Sequence, residues 1–151
     1  MPSITPFLWY DTQAEEAMNY YASIFKRSKI ISVNKVGGRT IGVEFELEGQ
    51  RFMALNGGPK YKFNESYSMF VSCDTQAEID DLWEKLIADG GGPTRCGWLQ
   101  DKYGLSWQII PKNLGKMMSD KDPAKAKRVM DVVLKSDKLD MGELQRAYDG
   151  K

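Results

Sequence analysis

The sequence predicts an α+β protein made of two βαβββ units followed by C-terminal helices, and three observations carry that prediction. The pentapeptide Asp11-Thr12-Gln13-Ala14-Glu15 recurs letter for letter as Asp74-Thr75-Gln76-Ala77-Glu78. Each copy is preceded by a short aromatic and β-branched run and followed by apolar residues at helical spacing. From Pro111 onward the pattern changes to Lys-rich helical segments.

Residues 4–10 and 67–73 are the two runs before the pentapeptides, and both suit strands. After the first copy, Ala14, Ala17, Met18, Tyr21, Ile24 and Phe25 form one apolar helix face; after the second, Ile79, Leu82, Trp83, Leu86 and Ile87 do the same. Thr12-x-x-Glu15 and Thr75-x-x-Glu78 have the form of capping boxes. The repeated pentapeptide is therefore expected to satisfy the free N–H groups where a strand turns into a helix. Strands are expected at 29–36, 40–48 and 51–56, with Gly37-Gly38 and Gly49-Gln50 as tight turns. Beyond the second helix, Gly90-Gly91-Gly92-Pro93 interrupts the chain, and shorter strands are expected at 94–96, 98–102 and 105–110. The units thus occupy about 1–58 and 66–111 of a paired domain over 1–111. Helices expected at 114–118, 123–135 and 141–148, with Met130, Val133 and Leu134 as an apolar stripe, extend the same domain over 112–151.

Composition narrows the function. The 151 residues hold 21 Lys+Arg, 21 Asp+Glu, 2 Cys and no His. That length suits one domain with a real core. A formal charge of zero lacks the electrostatic footprint of phosphate-backbone binding, so nucleic acid is excluded as an expected partner. The missing His excludes Ser-His-Asp and Cys-His catalysis, HExxH zinc chemistry and any imidazole ligand. Cys73 and Cys96 stand outside any CxxC and fit a reducing cytoplasm. Residues 1–10 have neither a basic leader nor an apolar run of signal length, and no stretch approaches the ~20 apolar residues of a membrane span. A soluble cytoplasmic protein is expected.

Three stretches carry a family resemblance: Pro6-Phe7-Leu8-Trp9-Tyr10 before Gln13-Ala14-Glu15-Glu16-Ala17; Ala54-Leu55-Asn56-Gly57-Gly58-Pro59; and Cys96-Gly97-Trp98-x-x-Asp101-x-x-Gly104-x-x-Trp107-Gln108. With the tail over 139–150, they resemble the PhnB-like branch of the vicinal oxygen chelate superfamily, which includes glyoxalases, extradiol dioxygenases and bleomycin-resistance proteins. The resemblance covers nearly the whole chain. It implies that the two units form one curved eight-stranded sheet, with helices outside and a ligand cavity on the concave face. It also implies a homodimer.

Many members of this superfamily bind a divalent metal through four strand residues. Carried over by the family's spacing from Asp11, Gly49, Asp74 and Gly104, those positions are Ile4, Met53, Tyr67 and Gln108. An aliphatic chain, a thioether, a neutral phenol and an amide supply almost none of the charged oxygen or imidazole donors such an ion needs. No metal and no other cofactor is expected, and only an all-carboxylate site would change that. Glu44 and Glu46 alternate with Val43, Phe45 and Leu47, so they share a sheet face that meets either the cavity or solvent. With Tyr67 they are the candidate catalytic groups. A general base among them would need a pocket that raises its pKa towards neutrality.

Period-2 alternation that turns Met53 and Gln108 inward also turns Arg51, Leu55, Ser106 and Ile110 inward, with Tyr67, Met69 and Val71 expected beside them. The candidate ligand-binding residues are therefore Gln108, Tyr67, Arg51, Met53, Met69 and Ile4, a largely apolar wall with a few polar fixtures. Gln108 and Tyr67 offer hydrogen bonds, and Arg51 offers a clamp for an anion. The plainer alternatives are a half-buried Tyr67, a strand-end Arg51 and a Gln108 amide satisfied within the fold. Trp107 should point to the helix-packed face, and Trp98 to a cavity mouth or a subunit contact. Cys96, beside Arg95, is a buried thiol or a weakly activated one. Asn56-Gly57-Gly58-Pro59 leads into no helix, so it is a turn and not a phosphate cradle.

This branch often carries a label linking it to demethylubiquinone methyltransferase. Here both strand-to-helix turns are Asp-Thr-Gln, without the Gly-rich turn of a nucleotide-type methyltransferase, which argues against that activity. The expected function is metal-independent binding of a small organic ligand. One alternative is a lyase, isomerase or transferase using pocket acid–base groups or a carboxylate-bound metal. Another is an interaction protein whose pocket is vestigial and whose Lys/Met-rich helices dock a partner.

Overall fold

Strand β1 (Phe7–Tyr10) leads into helix α1 (Ala14–Ile24) and then into β2 (Ser28–Val36), β3 (Arg39–Leu47) and β4 (Gln50–Asn56) in the computed structural model, which describes all 151 residues. These elements make up the first of two units, Met1–Phe63 and Asn64–Lys151. The sheet order is β1-β4-β3-β2, with β1 parallel to β4 and the other pairs antiparallel. Val43, Phe45 and Leu47 of β3 are buried while Glu44 and Glu46 between them are half-buried, the period of two that the sequence shows. The buried face of α1, Ala14, Ala17, Met18, Tyr21 and Ile24, covers that apolar side. Tyr21 contributes a hydroxyl contact to Tyr10 at 3.0 Å and a ring contact to Phe45, which stacks on Phe52. Each such side chain contributes roughly 1.5–3 kcal/mol of burial.

Two local expectations in this unit are corrected. The first strand begins at Phe7, not residue 4, and Ile4 is 98% exposed. Pro6 has no N–H to give a ladder, and its carbonyl instead accepts from the Met53 N–H at 3.0 Å. The first capping box does not form. Gln13 is the N-cap without a side-chain bond, Glu15 accepts from the Thr40 hydroxyl, and the Ala14 N–H is capped by Asn56 Oδ1 at 2.8 Å from the end of β4.

Asn56 also donates through Nδ2 to the Thr40 carbonyl at 3.0 Å, so it ties β4 to both α1 and β3. The Trp9 indole lies on the adjoining turn, its Nε1 donating to the Gly58 carbonyl at 2.9 Å and its ring edge-on to Tyr61. A Cβ on Gly57 would lie 2.3 Å from Trp9 Cζ2. Gly57→Ala is therefore expected to lower the urea midpoint by the equivalent of about 1–3 kcal/mol, the usual cost of overpacking, and to alter the near-UV dichroism of Trp9.

The second unit repeats the plan with β5 (Ser68–Cys73), α2 (Gln76–Ile87), β6 (Gly92–Pro93), β7 (Trp98–Gln100) and β8 (Ser106–Pro111), in sheet order β5-β8-β7-β6. Here the Thr75 cap does form, its hydroxyl accepting from the Glu78 N–H, while Glu78 Oε2 reaches back one residue past the cap to accept from the Asp74 N–H. Ile79, Trp83 and Leu86 are the buried residues of α2, and Trp107, Ile109 and Leu99 are buried in the sheet. The strand expected at 94–96 is absent. Cys96 and Gly97 take left-handed φ values of 57° and 84°, and their N–H groups donate at 2.7 Å to the Ser136 and Asp137 carbonyls of the C-terminal segment.

That segment carries α3 (Leu114–Met118), α4 (Pro123–Lys135) and α5 (Met141–Asp149). Asp122 caps α4 ahead of Pro123, and Asp140 caps α5. Leu114, Met117, Val129, Val133, Leu139 and Leu144 form one core with Ile110 of β8. Gln76, from the repeated pentapeptide, grips the segment twice: its Nε2 donates to the Leu139 carbonyl at 3.2 Å and its Oε1 accepts from the Met141 N–H at 2.7 Å. Lys138 pairs with Asp80 at 2.7 Å. Hydrogen bonds from Lys138 and Gln76 hold the Asp80 carboxyl below the usual carboxylate range. A carboxyl depressed in the folded state adds stability above its unfolded pKa and loses it as pH falls through the folded value. Lys138→Ala should therefore flatten the acid limb of the stability–pH curve, as read from urea midpoints across the carboxylate range.

One fold-level expectation is corrected as well. The strands form two four-stranded sheets and not a single eight-stranded one, each ladder ending in the parallel pair β1–β4 or β5–β8. No helix is long and apolar enough to cross a membrane.

Candidate functional site

In each unit, α1 or α2 packs on one sheet face and the candidate residues sort by the other. On the first sheet, register pairs Phe7 with Met53 and Met53 with Glu44, Trp9 with Leu55, and Arg51 with Glu46, so these side chains share the face opposite Val43 and Phe45. Phe7 is 54% exposed there. The Arg51 guanidinium contacts Glu44 Oε1 across the strands, and the Glu44 side chain is only 15% exposed. Glu44 is thus a sheltered carboxylate already engaged by a cation, beside the Met53 thioether and the Phe7 ring. Both glutamates face away from the helix, on the side opposite Val43, Phe45 and Leu47 that their alternation assigns.

On the second sheet, Gln108 pairs with Phe70 of β5 and Trp98 of β7, and Ser106 pairs with Ser68 and Gln100. Gln108 Nε2 donates to Ser68 Oγ at 2.9 Å. Phe70 is 62% exposed. Gln108 therefore sits between two aromatic side chains on the face turned away from Trp107, as its place beside that tryptophan implied.

Three of the candidate ligand-binding residues, and Val71 expected beside them, fall elsewhere. Met69 pairs with Trp107 and is buried on the helix side, opposite Gln108, and Val71 pairs with Ile109 on that same side. Tyr67 precedes β5, is partly exposed, and donates its hydroxyl to Met69 Sδ at 3.8 Å. Burial pushes the Tyr67 phenol above its ordinary pKa, which suits a hydrogen-bond donor and not a base at neutral pH. Ile4 lies outside β1 altogether. Both first-strand positions thus precede the strands they were assigned to. The residues that occupy the open faces instead are Phe7, Trp9, Ser68 and Phe70. Phe7 and Phe70 stand at the same offset before Asp11 and Asp74, so the internal repeat was the signal that pointed to them.

No group of three or more Cys, Asp or Glu side chains converges to hold a metal ion. At the family's ligand positions the chain offers Met53 and Gln108 on the open faces, with Ile4 and Tyr67 off them, so the donors present do not fit a divalent ion. Cys73 is buried, and its thiol is pushed up to about 11 by burial and by Glu78 and Asp74, so it stays protonated. A shallow groove on the C-terminal helices, lined by Val132, Lys135, Ser136, Glu143, Arg146 and Lys151, contains none of the predicted residues.

The Cys-Gly-Trp to Trp-Gln motif has a structural explanation. Asp101, 2% exposed, accepts from the Tyr103 N–H at 2.9 Å, the Leu105 N–H at 3.1 Å and Trp107 Nε1 at 2.9 Å. Gly104 takes the left-handed φ of 85° that this turn requires. The motif sets the β7–β8 turn and so the register that presents Gln108.

Residues 2–110 match the family model described as 3-demethylubiquinone-9 3-methyltransferase. Among solved structures, the chain is similar to a PhnB protein from Bacillus cereus whose name carries the same methyltransferase label, with 35% identity over 73% of this chain and 99% of that one and a TM-score of 0.68. It shares its fold with protein PA1353 from Pseudomonas aeruginosa, at 16% identity over 74% and 98% of the two chains and a TM-score of 0.62. A glyoxylase/bleomycin resistance protein/dioxygenase domain from Frankia sp. also has this fold, at 13% identity over 74% and 92% and a TM-score of 0.51. No curated protein matches the chain. The match across most of the sequence, joined to two βαβββ-like units, settles the kinship: this chain belongs to the family described as 3-demethylubiquinone-9 3-methyltransferase, in the PhnB-like branch of the vicinal oxygen chelate superfamily.

Proposed function

We propose that the chain is a small-molecule-binding protein that works without a metal ion, and that each unit's open sheet face is a ligand-contacting surface, with Arg51 and Met53 on the first and Gln108 on the second. The observation that supports this most is the exposed aromatic on each open face, Phe7 and Phe70, beside a small number of polar groups. Apolar surface with sparse, placed polar fixtures is the make-up of a small-molecule site. The donor set supports metal independence, since an amide and a thioether stand where a carboxylate or imidazole would be needed. Literal methyl transfer is disfavoured by the Asp-Thr-Gln turns, which lack the glycines of a nucleotide cradle. On this reading the working form is a cytoplasmic homodimer. The two free cysteines suit that compartment.

A thermal-shift screen of small organic compounds, run with EDTA and again with added divalent ions, tests the proposal. Compounds that bind should stabilise the protein equally in both conditions, by about 2.7 kcal/mol at a hundredfold excess over Kd. Gln108→Leu should weaken binding about tenfold, the loss of one hydrogen bond left without a partner. Stabilisation that appears only with an added metal ion would contradict the proposal.

A further inference from the structure

Asn56-Gly57 is the chain's single Asn-Gly peptide, and the fold uses both residues in ways that other side chains do not satisfy. Asn56 accepts from the Ala14 N–H through Oδ1 and donates to the Thr40 carbonyl through Nδ2, so it needs an acceptor and a donor on one short side chain. Aspartate lacks the donor, and Gln is a methylene too long. Gly57 leaves the space that the Trp9 ring fills, where any Cβ would sit 2.3–2.5 Å from ring carbons. The missing Cβ that admits Trp9 also removes the steric shield from the neighbouring Asn56 amide. The pair is therefore chemically labile and structurally fixed at once.

We propose that Asn56 is a deamidation site held off by the fold, and that its conversion releases Trp9 from the turn it packs on. The Gly57 backbone nitrogen, after losing its proton to base, forms a bond to Asn56 Cγ; the Cγ–Nδ2 bond breaks and ammonia leaves, closing a succinimide. Water then opens the ring at either carbonyl, leaving aspartate or isoaspartate, with no oxidant or reductant involved. In the closed fold the attacking group is occupied, because the Gly57 N–H donates to the Tyr10 carbonyl at 2.9 Å while both ends of the Asn56 amide are engaged. Attack requires those three bonds to open together, so the rate follows local unfolding at the end of β4. An aspartate at 56 keeps the cap on α1 but sets a carboxylate oxygen against the Thr40 carbonyl. An isoaspartate adds a methylene to the main chain and displaces the Gly57-Gly58 turn to which the Trp9 indole is bonded.

The full-length protein incubated at mildly alkaline pH, with peptide mapping that separates asparagine, aspartate and isoaspartate, tests this. Folded protein should convert about tenfold or more slowly than the same protein in urea, with Phe52→Ala, destabilised within the same unit, in between. The isoaspartate fraction should lose hydrogen-exchange protection at the Trp9 indole N–H. The wild-type comparison stands even where Phe52→Ala does not fold. Equal rates in folded and urea-unfolded protein, or a Trp9 indole still protected after conversion, would overturn the proposal.

Discussion

Asp101→Ala lowers the stability of the protein by about 3–5 kcal/mol on this account, the largest loss expected from any single polar substitution in the chain. One buried carboxylate satisfies two backbone N–H groups and the Trp107 indole, and its removal strands three donors inside the β7–β8 turn. Hydrogen bonds to a charged acceptor are worth about 1.5–3 kcal/mol each, less than additively when they share one group. Asp101→Asn keeps an oxygen for the two backbone donors but turns an amide N–H₂ toward the indole N–H, so roughly half the loss is expected. Urea denaturation followed by tryptophan fluorescence measures both. A change under about 1 kcal/mol for the alanine variant would mean that the turn is held by its backbone bonds alone.

Leu139→Ala is the second. Leu139 is fully buried, its side chain lies against Gly97 and belongs to the core cluster of Ile110, and its carbonyl accepts from Gln76. Truncating a leucine at such a site costs about 2–5 kcal/mol, depending on how far the surroundings close. The effect should not stay in the tail. Because Cys96 and Gly97 send their N–H groups to Ser136 and Asp137, loosening the segment also frees the turn that leads into β7 and hence Trp98 beside Gln108. Hydrogen exchange should show the Cys96 and Gly97 amides losing protection together with those of α4 and α5. Loss confined to the helices would show that the extension is only appended to the unit.

How much of this was legible in the sequence depends on whether a strand alternates. In β3 and β8 polar residues break the apolar run, at Glu44 and Glu46 and at Gln108, and the faces were read correctly. In β1 and β5 the runs Phe7-Leu8-Trp9-Tyr10 and Met69-Phe70-Val71 are apolar at every position, so period two leaves no trace and register had to be counted from the helix start. That count reaches Ile4 and Tyr67, which precede their strands, and from Tyr67 it reaches Met69, which lies on the helix side. The identical pentapeptides marked both strand-to-helix turns, yet their capping differs because Asn56, distant in sequence, takes the place of Thr12 in the first unit. The strand expected at 94–96 was lost to the same kind of long-range bond, from the C-terminal segment. Local chemistry was readable, and partners far along the chain were not.

The small-molecule reading gives these placements a purpose: α1 and α2 bury one face of each sheet, and the open faces keep exposed aromatics next to Gln108, Arg51 and Glu44. Native mass spectrometry of the purified protein, with elemental analysis of the same preparation, tests that claim most directly, because it reports oligomer mass, co-purifying ligand and metal content together. A dimer mass carrying a small organic ligand, released on mild activation, is expected, with no stoichiometric divalent metal. A divalent ion at one equivalent per chain would contradict it and turn attention to Glu44 and Glu46 as carboxylate ligands.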